Sequence, residues 1–197
     1  MKKSYLKSPL GLLFKITVGI LSLFWITMCL GFAVNCFSRK YLYPTHYKDT
    51  VVKYADYYGL DQTLIFSVIK VESGFDKNAV SDAGAVGLMQ ITPDTGEYIA
   101  NLQGVEHYDL LDPVTNINFG CYYIKYLFMK FKNTDTALCA YNAGEGNVSL
   151  WLQNKEYSAD GKTLTTVPFS ETREYIKKIH ETFSKYKKLY GNILDKR

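Results

Sequence analysis

From Ile16 to Val34 the chain runs for 19 residues without a charged side chain. About 20 apolar residues in a helix span a hydrocarbon core of about 30 Å, so this stretch sets the first constraint on the fold: it must be covered by lipid or by protein. Its interruptions, Thr17, Gly19, Ser22, Thr27, Cys29 and Gly31, are small or weakly polar, and the run reads as a transmembrane helix.

Charge divides the chain at the same place. The formal charge is +4, yet Lys2, Lys3, Lys7, Lys15, Arg39 and Lys40 all lie in the first 40 residues, which contain no acid. The remainder carries 17 basic and 19 acidic residues. A near-neutral body without a basic stripe lacks the electrostatic footprint of a nucleic-acid binder. Four lysines before the run and two basic residues after it place the N-terminus in the cytoplasm by the positive-inside bias. A cleaved signal peptide calls for a shorter apolar core and small residues before the cut; no such site follows, and neither Cys29 nor Cys36 is preceded by a lipoprotein cleavage box. The organisation expected is a cytoplasmic tail at 1–15, a single-pass span at 16–34, a stalk at 35–45, an extracytoplasmic domain at 46–191 and a short tail at 192–197. With 47% apolar residues in 197, the exported part holds one domain with a real core.

That domain reads as mostly helical. Tyr47, Val51, Ala55 and Tyr58 recur at helix spacing and Gly59 supplies a stop. Asp61 is a plausible N-cap for a second helix, whose apolar stripes hold Ile65 and Ile69 on one side and Leu64, Val68 and Val71 on the other. Glu72 ends the first of these. Residues 74–92 have glycines, small residues and no sustained period, which predicts an irregular connection that still buries Val86, Leu88, Met89 and Ile91. Helices are expected from Pro93, from Pro113 with Ile117, Cys121, Ile124, Phe128 and Phe131 on one face, and from Asp135 to Tyr141. Asp160-Gly161 suggests one hairpin between 154 and 167. A last helix from about Ser170 should turn Ile176, Ile179, Phe183 and Tyr186 inward. Most of the 17 tyrosines fall at core or rim spacing, and Cys121 and Cys139 read as buried thiols outside any metal motif, with a disulfide between them as the alternative in an oxidising compartment.

Three separated stretches carry chemistry: Glu72-Ser73-Gly74-Phe75, Gly87-Leu88-Met89-Gln90-Ile91 and Ala140-Tyr141-Asn142-Ala143-Gly144. Their order and spacing, with Pro168-Phe169-Ser170-Glu171-Thr172-Arg173-Glu174-Tyr175 further on, closely resemble the lytic transglycosylase domain of the soluble-transglycosylase type, a branch of the lysozyme-like superfamily. The resemblance covers roughly Tyr47 to Tyr190. It implies an α+β lysozyme-like fold, here predominantly helical with one small β-hairpin, and cleavage of the MurNAc-β-1,4-GlcNAc bond of peptidoglycan without water, leaving 1,6-anhydro ends.

The chemistry explains the glutamate. Breaking a glycosidic bond needs a proton on the departing oxygen, hence a carboxyl that stays protonated near neutral pH. Glu72, at the end of an apolar stripe, should lose hydration and have its pKa raised. Asp76, Asp82, Asp94 and Glu97 are second-carboxylate candidates by proximity alone, and none falls on a family motif position. The resemblance implies instead that the substrate's own N-acetyl group acts as nucleophile. It implies contacts to the sugar from Ser81, Gln90 and Asn142, a wall from Met89, an orienting hydroxyl on Tyr141 and a groove position for Glu171. Where the family commonly has a Met two residues after the Gln, this chain has Thr92.

Structural readings stand beside these. Gln90 could hold the loop, Tyr141 could close a helix, Met89 could be core, and Glu171 could favour the positive end of its helix. No metal or organic cofactor is implied. The rivals are a goose-type lysozyme-like hydrolase of the same bond and an inactive cell-wall-binding scaffold of an envelope machine, whose protein partners the sequence does not name.

Overall fold

The structure is a computed structural model describing residues 9–194, with side chains described to residue 191. It divides into two compact units between Pro44 and Thr45.

The first is a helix, α1 (Pro9–Phe37), that runs on through a π-helical turn, Ser38–Leu42. It is longer than the expected span at both ends and absorbs most of the expected stalk. Pro9 suits a first helical position, and nothing between Leu10 and Lys15 breaks the run. The combined 34 residues are long and apolar enough to cross a membrane, and none of α1 is buried by protein. Its hydroxyls turn inward: Thr17, Ser22 and Thr27 donate to the carbonyls of Phe14, Gly19 and Phe24 at 2.8, 2.9 and 2.8 Å. Each polar side chain is thereby satisfied within the helix, the condition that apolar surroundings impose. The tail at 1–8 and residues 195–197 lie outside the described residues.

The second unit is built on helices joined by irregular segments: α2 (Lys48–Tyr58), α3 (Gln62–Glu72), α4 (Pro93–Gln103), α5 (Pro113–Phe131), α6 (Thr134–Ala143), α7 (Glu145–Gln153) and α8 (Ser170–Leu194). Local chemistry sets their ends. Gly59 closes α2 at φ 66°, a conformation cheap only for glycine. Asp61 then opens α3 by accepting from the N–H groups of Thr63 and Leu64 at 2.8 and 3.4 Å. Thr92-Pro93 and Asp112-Pro113 open α4 and α5 by the same device, each cap accepting from Thr95 and Thr115.

Helix α3 is the core. From Thr63 to Ile69 every residue is buried, with α8 and α2 packed on it. Phe66 stacks on Tyr186 of α8 with ring centroids 5.8 Å apart. In α5, Ile117, Cys121, Ile124 and Phe131 are buried as expected, whereas Phe128 is only half-buried and Leu127 fills the core instead. In α8 the buried residues are Thr172, Tyr175, Ile179, Tyr186 and Tyr190, so the inward face is rotated from the expected one and Ile176 and Phe183 sit at its edge. Cys121 and Cys139 are buried free thiols.

Two local readings fail. Helix α7 has no counterpart in the sequence reading, because Glu145-Gly146-Asn147 is a poor helix start; Val148 and Trp151, buried three residues apart, hold it by packing. The hairpin at Asp160-Gly161 is replaced by bends, and among the described residues there is no strand. There the Asp160 carboxylate accepts from the N–H groups of Lys162 and Thr163, both at 2.8 Å, and Ser158 Oγ accepts from the N–H of Gly161 at 3.0 Å. Side chains therefore take the donors a ladder needs. Elsewhere β-structure is limited to two isolated antiparallel bridges, Val80 with Val86 and Val86 with Ile91.

Candidate functional site

Glu72 is the last residue of α3. Seven buried residues behind it leave its half-buried carboxyl with poor hydration, and burial pushes its pKa up to about 7. Two neighbours adjust that value, both from α8. The Tyr175 hydroxyl faces the carboxyl and lowers the pKa, while the Glu171 carboxylate raises it further. Tyr175 is 6% exposed, and its hydroxyl has no hydrogen bond of ordinary length and angle. It is therefore held near Glu72 without being tied to another group. The candidates by proximity, Asp76, Asp82, Asp94 and Glu97, are all exposed, and none is among the charges acting on Glu72.

The loop from 74 to 92 supplies the next wall. Asn116, fully buried on α5, grips it: Nδ2 donates to the carbonyls of Val86 and Leu110 at 2.9 and 2.7 Å, and Oδ1 accepts from the N–H of Met89 at 2.7 Å. Gly87, at φ 78°, must be glycine here, because a Cβ would strike the Asn116 amide. Met89 is itself fully buried against Gly120, where any Cβ would collide with its sulfur. It is core that shapes the loop.

Gln90 is half-buried in a left-handed conformation, φ 50°, rare for a residue with a side chain and often found where function holds the backbone. Its Nε2 donates to the carbonyls of Ala79 and Gly87 at 3.2 and 3.0 Å, leaving the side-chain carbonyl outside those bonds. Ser81 closes a turn with Ala85, its Oγ accepting from the Ala85 N–H at 3.1 Å. Thr92, in place of a methionine, caps α4.

Tyr141 donates its hydroxyl to the carbonyl of Met89 at 2.6 Å, joining α6 to the loop. It lies close enough to Glu72 for the carboxylate to raise its own pKa, after burial. Asn142 Oδ1 accepts from the Thr172 hydroxyl at 2.7 Å, joining α6 to α8. Glu171 stands exposed in the first turn of α8. The structure thus brings Glu72, Met89, Tyr141 and Glu171 around one end of α3, with Gln90 following Met89. Ser81 and Asn142 are shown in bonds to their own supports. Sequence reasoning missed Asn116, a polar residue on an otherwise apolar face, and Tyr175, which stood within a quoted motif without a role.

The fold that carries this arrangement has counterparts among solved structures. The chain superposes on the lytic transglycosylase Slt of Pseudomonas aeruginosa, an inactive glutamate-to-glutamine mutant, with a TM-score of 0.65 and 30% identity, over 74% of this chain and 24% of that one. Residues 49–164 match the family described as Transglycosylase SLT domain, and the chain belongs to that family. It is 34% identical over 155 residues to a soluble lytic murein transglycosylase of Salmonella typhimurium, covering 76% of this chain and 24% of that protein. It is 31% identical over 175 residues to a membrane-bound lytic murein transglycosylase C of Haemophilus influenzae, covering 76% and 47%. The chain thus spans about a quarter of the soluble relative and about half of the membrane-bound one.

Proposed function

We propose that this chain is a membrane-anchored lytic transglycosylase that cleaves the bond between N-acetylmuramic acid and N-acetylglucosamine in peptidoglycan, with Glu72 as its acid and base. The observation that carries this reading is a carboxyl whose burial keeps it protonated to about pH 7. Such a group donates its proton to the glycosidic oxygen as that bond breaks, while the N-acetyl carbonyl oxygen of the muramic residue attacks the anomeric carbon. The Glu72 carboxylate then accepts the proton of the muramic 6-hydroxyl. The 6-oxygen displaces the acetamido oxygen from the anomeric carbon, closing the 1,6-anhydro ring and restoring Glu72 for the next turn.

Tyr175 steadies the carboxyl in both protonation states. Tyr141, through Met89, fixes the distance between loop and acid. Gln90, with its carbonyl outside the loop's own bonds, receives a donor from the sugar. Ser81, Asn142 and Glu171 line the same groove, and no cofactor takes part. The apolar helix Pro9–Leu42 supports anchoring, as does the likeness to relatives named membrane-bound. The span crosses once, with the domain on the extracytoplasmic side.

A second reading, hydrolysis, is favoured by one observation: Glu171 is exposed and close enough to act on Glu72. A carboxylate there could activate water on the same bond. Mass spectrometry of purified peptidoglycan digested by the full chain in detergent separates the two, since anhydro ends are lighter by one water. Anhydro ends from wild type and none from Glu72→Gln, with a rate loss of roughly 10²–10⁴-fold or more, are expected. Reducing ends alone would assign hydrolysis. Wall binding without any release would assign a scaffold.

A further inference from the structure

Glu145, the first residue of α7, has a divided environment. Its Oε1 accepts from Lys130 Nζ at 2.9 Å and from the Tyr126 hydroxyl at 3.3 Å. Its Oε2 is closed off from solvent and has no hydrogen-bond partner. A carboxylate oxygen in that condition lacks a donor that water would otherwise give. Lys130 relieves it little, because the pair is 37% and 34% exposed and is screened.

Glu145 also lines a cavity of about 220 Å³ with Asp94, Thr95, Tyr98 and Tyr123. Two carboxylates line the cavity and Lys130 pairs with only one of them, Glu145, which leaves an excess of negative charge there. Two tyrosine rings add negative π-faces, which attract cations. The cavity adjoins the candidate active site, since the Tyr123 ring lies 5.7 Å from that of Tyr141. The last torsion of a glutamate is broad and roughly two-fold, so a small turn of the carboxyl presents Oε2 to a ligand.

We propose that this cavity is a subsite for a primary ammonium group of the wall polymer, held by Glu145 and Asp94 between the tyrosines. The proposal rests on the peptidoglycan reading above. A neutral hydroxyl would satisfy Glu145 but would give Asp94 and the aromatic walls nothing to hold. Such an ammonium has two sources in the polymer: the side-chain amine of a diamino acid in the peptide stem, or a glucosamine that has lost its acetyl group.

The test uses the full chain carrying Glu72→Gln in detergent, so that nothing is cut, and measures co-sedimentation with insoluble wall. Acetylating the free amines of the wall should weaken binding roughly tenfold, the range of one desolvated cation contact. Adding Glu145→Gln or the exposed Asp94→Asn should make native and acetylated wall bind alike. Asp94→Asn carries the test if Glu145→Gln does not fold. Removing the peptide stems, or separately re-acetylating the glycan, identifies which amine is bound. Equal binding of native and acetylated wall to the Glu72→Gln chain, no binding to either, or full preference retained in both added variants would overturn the subsite. Amine-dependent binding with no release by wild type would leave the subsite standing and sink the enzyme reading.

Discussion

Two segments of the domain lack a β-ladder and are held by different means. Residues 74–92 are gripped from outside: Asn116 of α5 makes two hydrogen bonds to them, at Val86 and Met89, and Tyr141 of α6 makes a third. Their apolar side chains, Leu88, Met89 and Ile91, are in the core. Residues 154–169 are held mostly by their own side chains, with Asp160 and Ser158 closing the bends, and are largely exposed. The first segment therefore inherits the rigidity of α5 and α6, whereas the second is tied to α6 and α8 only through Leu164, Val167 and Pro168 near its end. Rigidity is placed where a carboxyl and a loop must keep a fixed separation.

The comparison breaks most readily at Asn116. Asn116→Ala strips a buried side chain from three backbone groups, and thermal or denaturant unfolding should show a loss of roughly 3–5 kcal/mol, with wall release falling with it. If stability is unchanged, the loop is not held from α5. Next, Gly120→Ala drives a methyl group into Met89 and should cost about 1–3 kcal/mol, with a reduced release rate at a temperature where the chain is still folded.

Glu72→Gln sharpens the comparison from the other wall of the site. A carboxyl raised from 4.5 to about 7 on folding stays protonated in the native chain while the unfolded chain ionises. Stability is therefore lost as pH rises from about 4.5 to 7, and no further loss follows above that. Glutamine lacks this penalty, so the variant should be more stable than wild type by roughly 3 kcal/mol at pH 8 and about equal to it at pH 4. A pH-independent difference would place the carboxyl in solvent. The smallest effect is expected at Asp160: Asp160→Ala should move Tm by no more than about 2 °C and leave wall release untouched. A large loss of activity there would show that the second segment shapes the site after all.

What was legible in the sequence follows the range of the forces involved. The cap at Asp61, the first-turn prolines Pro93 and Pro113 and the stop at Gly59 act over three or four residues, so their chemistry is written locally. The apolar run before Glu72 likewise announces its desolvation. The partnership of Tyr175 with Glu72 was not legible, because it depends on the rotation of α8 against α3, set by packing between residues about a hundred positions apart. Nor was the grip of Asn116, whose neighbours in sequence say nothing of Val86 or Met89. The hairpin failed because Asp160 offers the backbone nearer partners than a second strand would.

Glu72 stands at the C-terminal end of α3, where the aligned peptide dipoles concentrate partial negative charge. A negative ion formed there is opposed by its own scaffold, so the helix favours the protonated carboxyl. In the proposed mechanism, reloading the acid is thus helped by where the helix stops, and a second positive charge introduced beside Lys70 in that last turn should slow turnover by making the spent, anionic state too comfortable.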